Sequence, residues 1–414
     1  MTSNRRIIII AGAVVALIAV LVAIYFIFFS RSSGGLEVGG DPFGGTGAGD
    51  ISTDGEPSVL EGDVDFSGEA GTEVGPQLVR ITDAPVAHGV ASIFIPEIPA
   101  ATSTDGTIIP AVPPDIEVRF VERRSGNVYA YRAHGRTLTR ISNQTIPGVQ
   151  EAEWVADGSL AYLRFLSNDT GTEHIETYAL PAIEDDGYFL EQDLAGIDAT
   201  STTAVLSLKS TATGSIVTVA RPDGSNARSA FTTALTDIVV AFFGRNYLVH
   251  TAASASADGY VFQVTDSGAW SRLVGPLRGL TAIPSPTGST ILYSYVSRGT
   301  LITQVLDVAS RVSTPLPIST IVEKCVYARD GATAYCAVPK SVAGTLPDDW
   351  YQGAYAFSDR IWKIDLALRA AILLIDPSEI ADIDIDAVAL TLDPLKDILT
   401  FTNKRDGSLW AYDL

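Results

Sequence analysis

The chain closes on DGSLWAYDL, Asp406–Leu414. A turn dipeptide leads into apolar positions at Leu409, Trp410, Tyr412 and Leu414, the pattern of a strand. No strand follows it. A strand left at the margin of a sheet exposes unpaired N–H and C=O groups and invites aggregation, so something else in the chain is expected to cover it.

Moving towards the N-terminus, the same unit recurs. SDRIWKIDL (358–366), RGTLITQVLD (298–307), DGYVFQVTD (258–266), TGSIVTVARPDG (213–224), TEHIETYALP (172–181) and SGNVYAYR (125–132) each place a turn before an alternating apolar run. With the closing stretch there are seven copies, their starts roughly 40–60 residues apart, the period of a propeller whose blades are four-stranded antiparallel sheets. A second element precedes several of these: EWVADGSLAYLRF (153–165), IPSPTGSTILYSY (283–295), VYARDGATAYCAV (326–338) and LTLDPLKDILTF (390–401). Each reads as a hairpin, the first two strands of a blade, with the recurring unit as the third. The fourth strand is weaker, as in TLTRISNQ (137–144).

The ADGSLAYL and SPTGSTILY turns, followed by the G-x-[IVL] strand ending in Asp, resemble the WD-type propeller repeats of TolB-like proteins over residues 78–414. The resemblance implies an all-β, seven-bladed propeller with a binding surface and no fixed chemistry. Two departures stand out: the third blade lacks an SPDG-like turn, and the repeats lack a Trp-Asp ending. Diffuse third and fourth blades leave six or eight as alternative counts.

Residues 78–82, LVRIT, precede the first complete blade as an isolated apolar strand, followed by VASIFI as the first strand of blade one. Pairing LVRIT with DGSLWAYDL would supply the missing fourth strand and close the ring. The alternative is that LVRIT only extends the segment before it.

That segment has two parts. Ile7–Phe29 is uncharged and proline-free, and its 23 residues at about 1.5 Å each reach about 35 Å, enough for a bilayer core of about 30 Å. It reads as a transmembrane helix rather than a secretory signal, whose apolar region runs about 7–15 residues. Arg5 and Arg6 before it, with Arg31 alone just after, favour a cytoplasmic N-terminus and an extracytoplasmic propeller. Residues 30–76 are rich in glycine and acids and read as a flexible linker. The layout of anchor, linker and propeller resembles envelope proteins of candidate-phylum bacteria.

A net charge of −20 argues against nucleic acid and points to a basic partner or a divalent cation. Cys325 and Cys336 flank the Asp330-Gly331 turn and fall opposite each other in its hairpin, at disulfide distance. Two free thiols would be the alternative in a cytoplasmic domain. The histidines, His88, His134, His174 and His250, are scattered and form no metal-ligand spacing, and no G-x-S-x-G elbow occurs.

Two places are candidates for function. In the insert KSVAGTLPDDWYQGAYAFSD (340–359), Asp348, Asp349, Trp350 and Tyr351 could anchor a basic envelope protein or peptide, unless Trp350 folds back to fill a blade junction. In ADIDIDAV (381–388), Asp382, Asp384 and Asp386 would share one face if extended and could hold Ca²⁺. The Pro-rich insert 96–114 reads as a long surface loop. The expected function is noncatalytic binding or scaffolding, with a carbohydrate-active hydrolase using channel acids as the alternative.

Overall fold

The computed structural model describes residues 68–69, 72–75, 77–103, 108–142, 144–168, 171–183 and 187–414, all within one unit, Ser58–Leu414. The transmembrane segment expected at 7–29 and the first part of the linker lie outside these residues. Among the described residues no helix is long and apolar enough to cross a membrane.

Among the described residues seven antiparallel blades of four or five strands follow one another along the chain. Their inner strands are Ala91–Ile95, Glu151–Trp154, Leu194–Asp198, Ile238–Phe243, Thr281–Pro284, Cys325–Tyr327 and Ala387–Leu392, and each recurring unit of the sequence forms a third strand. All four sequence-predicted hairpins are first-to-second strand pairs. Alternation along these strands buries one side chain in two against each face. Apolar clusters accordingly lie between successive blades, as where Val121, Trp154 and Leu163 meet between the first and second.

The ring is closed as the sequence implies. Leu78–Arg80 pairs antiparallel with Leu409–Asp413, setting Leu78 opposite Tyr412, Val79 opposite Ala411 and Arg80 opposite Trp410. The pairing continues where Ile81 N–H donates to the Leu409 carbonyl at 2.8 Å and Leu409 N–H donates to Thr82 Oγ1 at 3.1 Å. Arg80 stacks its guanidinium 5.5 Å from the centre of the Trp410 ring and pairs with Asp406 at 3.1 Å. The terminal strand is therefore the third from the inside of its sheet, and Leu78–Arg80 is the fourth.

The linker boundary differs from the sequence reading. Gly68–Glu69 and Thr72–Gly75 are strands, the first against the outer strand of blade one and the second against Leu78–Arg80. Composition gave no hint of this, because the pairing is made by backbone groups. An outer strand offers unpaired N–H and C=O groups to whatever backbone runs beside it.

Candidate functional site

In an antiparallel blade the first-to-second turns gather at one end of the ring and the second-to-third connections at the other. The insert 340–358 is a second-to-third connection, and the turns around Asp157, Pro286, Arg329 and Pro394 are first-to-second. The two regions therefore occupy opposite ends.

Within the insert, Asp348–Tyr351 form one turn of helix. Trp350 is only 4% exposed and packs among Leu301, Ile321, Leu346, Phe357 and Val388, so the indole fills the junction between blades. Its Nε1 donates to Asp386 Oδ2 at 3.0 Å, and the Lys404 ammonium sits 3.9 Å from the ring centre. Asp348 Oδ1 accepts from the Ala255 amide at 3.0 Å and Asp349 Oδ2 from the Thr345 amide at 2.6 Å, both holding the loop in place. Of the quartet, Tyr351 keeps the largest free surface, 42% exposed, with its hydroxyl donating to Glu323 Oε1 at 2.8 Å. Burial raises the Glu323 carboxyl above its ordinary range, while that hydroxyl acts to lower it.

The aspartates of ADIDIDAV do not converge. Asp386 is fully buried and turned onto Lys324, Asp384 Oδ1 accepts from Ser358 Oγ at 2.6 Å, and Asp382 sits at φ 54°. A left-handed residue breaks the extended run on which a shared face depends. Among the described residues no group of three His, Cys, Asp or Glu is placed to hold a metal. Cys325 and Cys336 are joined in a disulfide with their Cα atoms 4.0 Å apart, in the register expected of the hairpin.

A cavity of about 1410 Å³ forms the mouth of the central channel, at the end where the first-to-second turns lie. Inner strands or turns of all seven blades line it, including Phe94, Glu153, Asp198, Phe242, Tyr327 and Pro394. Asp198 is saturated: Oδ1 accepts from the Thr200 amide and hydroxyl at 2.9 and 2.7 Å, and Oδ2 from the Phe242 amide at 2.6 Å. Glu153 is different. Burial, then the negative charges of Asp198 and Glu151, push its carboxyl up to about 8, against weaker opposing effects of the Ala199 amide and Arg164. It is thus a neutral acid at pH 7, able to donate a hydrogen bond or a proton.

Beside this mouth stands the insert between the first two strands of blade one. It forms a small two-stranded ribbon, Ala101–Thr102 with Ile108–Ile109, and a bridge between Ile98 and Val112. Ile98 is 57% exposed, Ile108 75% and Ile109 51%, with Phe94 and Val112 also exposed. Sequence reasoning recognised this loop but neither its ribbon nor its apolar surface, although IIP at 108–110 was visible as an apolar run among prolines. Glu153 was also missed, since a charge in a strand reads as outward-facing until the channel is known.

No protein-family model matches the sequence, and no curated protein matches it. Similar solved structures include an oligogalacturonate lyase from Vibrio parahaemolyticus, with a TM-score of 0.52 and 10% identity over 81% of this chain and 93% of that chain. An oligogalacturonate lyase in complex with manganese gives 0.51 and 9% identity over 78% and 98%. TolB from Acinetobacter baumannii gives 0.42 and 10% identity over 77% and 80%. At these identities the likeness is one of fold. A shared propeller fold does not fix the chemistry carried on it.

Proposed function

We propose that this chain is a noncatalytic binding or scaffolding module of the cell envelope, held to the membrane by residues 7–29 with its N-terminus in the cytoplasm and its propeller outside. The observation that carries the reading is the apolar ribbon at the channel mouth. Ile98, Ile108 and Ile109 lie open to solvent, and isoleucines grouped on one protruding element mark a surface that another molecule covers. A protein or peptide partner would lay apolar side chains on the ribbon, and the net charge of −20 favours basic residues around them. Tyr351 at the opposite end offers a smaller second contact.

A photo-crosslinking residue placed at Ile109 of the full-length chain in native membranes tests this. A discrete crosslinked protein, lost in Ile108→Asp/Ile109→Asp, supports the reading; crosslinks to lipid or to nothing reject it.

One observation favours a second reading. Glu153, protonated at neutral pH in the channel wall, has the property required of a general acid in glycan cleavage. Turnover of an oligosaccharide panel, abolished by Glu153→Gln, would make the chain an enzyme.

A further inference from the structure

Lys324 ends a short 3-10 turn, Val322–Lys324, that leads into the inner strand of blade six, and its side chain is 0% exposed. Its ammonium lies 2.9 Å from Asp359 Oδ2 and directly against Asp386 Oδ1, and both carboxylates are buried as completely. The rings of Trp350 and Phe357 stand 5.1 and 5.2 Å from the ammonium and wall the site. One cation facing two acids in a dry enclosure is a poor stabilising device, since neither acid can be fully compensated.

The two carboxylates have different surroundings. Asp386 Oδ2 accepts from Trp350 Nε1 and from the Phe357 amide, each at 3.0 Å. Two donors converging on one carboxyl oxygen are what stabilises the negative charge of a tetrahedral intermediate. Asp359 Oδ2 accepts from the Ala387 amide at 2.8 Å, while its Oδ1 is buried with no hydrogen-bond partner among the described residues. Burial pushes the Asp359 carboxyl up to about 6, against the lowering effect of Lys324, so this group can take up and release a proton near neutrality.

We propose that Lys324 and Asp386 become joined by an isopeptide bond formed spontaneously within the folded ring, with Asp359 carrying the protons. Lys324 Nζ gives one proton to Asp359 and its freed lone pair attacks Asp386 Cγ. Negative charge gathers on Oδ2 between Trp350 Nε1 and the Phe357 amide. A second proton leaves Nζ, and both protons reach Oδ1 through Asp359. The Cγ–Oδ1 bond breaks, Oδ1 departs as water, and the Cγ–Oδ2 carbonyl is restored. One ammonium and one carboxylate become one amide and one water, with no oxidant or reductant. The apolar walls keep out the water that would reverse the step. The bond would tie the entrance of blade six to that of blade seven, the blade completed by the N-terminal strand.

Intact-mass spectrometry of the reduced, denatured full-length chain tests this. The expected mass is lower than the sequence mass by one water, and digestion yields a branched peptide joining the segments of Lys324 and Asp386. A chain at its sequence mass with linear peptides overturns the proposal. Asp386→Asn is expected to link with loss of ammonia and arrive at the same mass as linked wild type, whereas a branch found at Asp359 overturns the assignment of the acceptor. Asp359→Asn is expected to remain unlinked, and full linkage in that variant overturns the proton-carrier role.

Discussion

Asp198 accepts a hydrogen bond from the Phe242 amide at 2.6 Å, which fastens the inner strand of blade three to that of blade four. A propeller whose blades meet through apolar faces can slide at those faces; a buried carboxylate gripping the neighbour's backbone fixes the register between them. Replacing it leaves the Phe242 amide and the Thr200 groups without their acceptor. Asp198→Ala should cost about 2–3 kcal/mol, read as a lower urea midpoint at unchanged m-value.

Glu153 makes the stability of the ring depend on pH. Its folded carboxyl titrates at about 8, whereas in the unfolded chain the same proton leaves near the ordinary value of 4.5. Between those values the folded state holds more protons than the unfolded one, so stability falls as pH rises. The contribution is fully present below about pH 4.5 and lost by about pH 8. Wild type should lose about 2–4 kcal/mol more than Glu153→Gln across that window in denaturant titrations at stepped pH. Parallel curves for the two proteins would remove Glu153 from the role of neutral channel acid.

The Cys325–Cys336 disulfide closes a short loop, with a sequence separation of 11, so its stabilising effect belongs at the low end of the usual range. Reduction should lower the unfolding free energy by about 2–3 kcal/mol without loss of the β-sheet circular dichroism signal.

Neighbouring residues of the helix turn should separate cleanly on mutation. Trp350→Ala empties the junction between blades and removes a donor from the buried Asp386, at a cost of about 3–5 kcal/mol. Tyr351→Ala, on the surface, should stay within about 1 kcal/mol of wild type in the same thermal melts. Loss of partner binding in Tyr351→Ala therefore reports on the surface, whereas loss in Trp350→Ala reports on the fold.

Much of the architecture was legible in the sequence because it is written in strand alternation and turn residues, which are local. The seven third strands, the four hairpins and the pairing of LVRIT with DGSLWAYDL all follow from that signal. The opposition of Cys325 and Cys336 follows from hairpin arithmetic alone. What could not be read depends on contacts between blades. For Trp350 the sequence left surface anchor and junction filler both open, Asp386 looks like a surface residue until the fold turns it onto Lys324, and Glu153 looks solvated until a channel encloses it. The run ADIDIDAV has the alternation of a strand but not its conformation, because Asp382 takes a left-handed turn. The strands at 68–69 and 72–75 carry no compositional signal, since the ladder they join is one of backbone groups.

Closure by the N-terminal strand carries the architecture, and the binding surface depends on it. Deleting Leu78–Thr82 from the full-length chain and following thermal unfolding with size-exclusion chromatography tests it directly. Exposure of the Leu409–Asp413 edge should lower the melting midpoint of the whole propeller and produce aggregates. An unchanged midpoint with a monodisperse peak would contradict the closed ring.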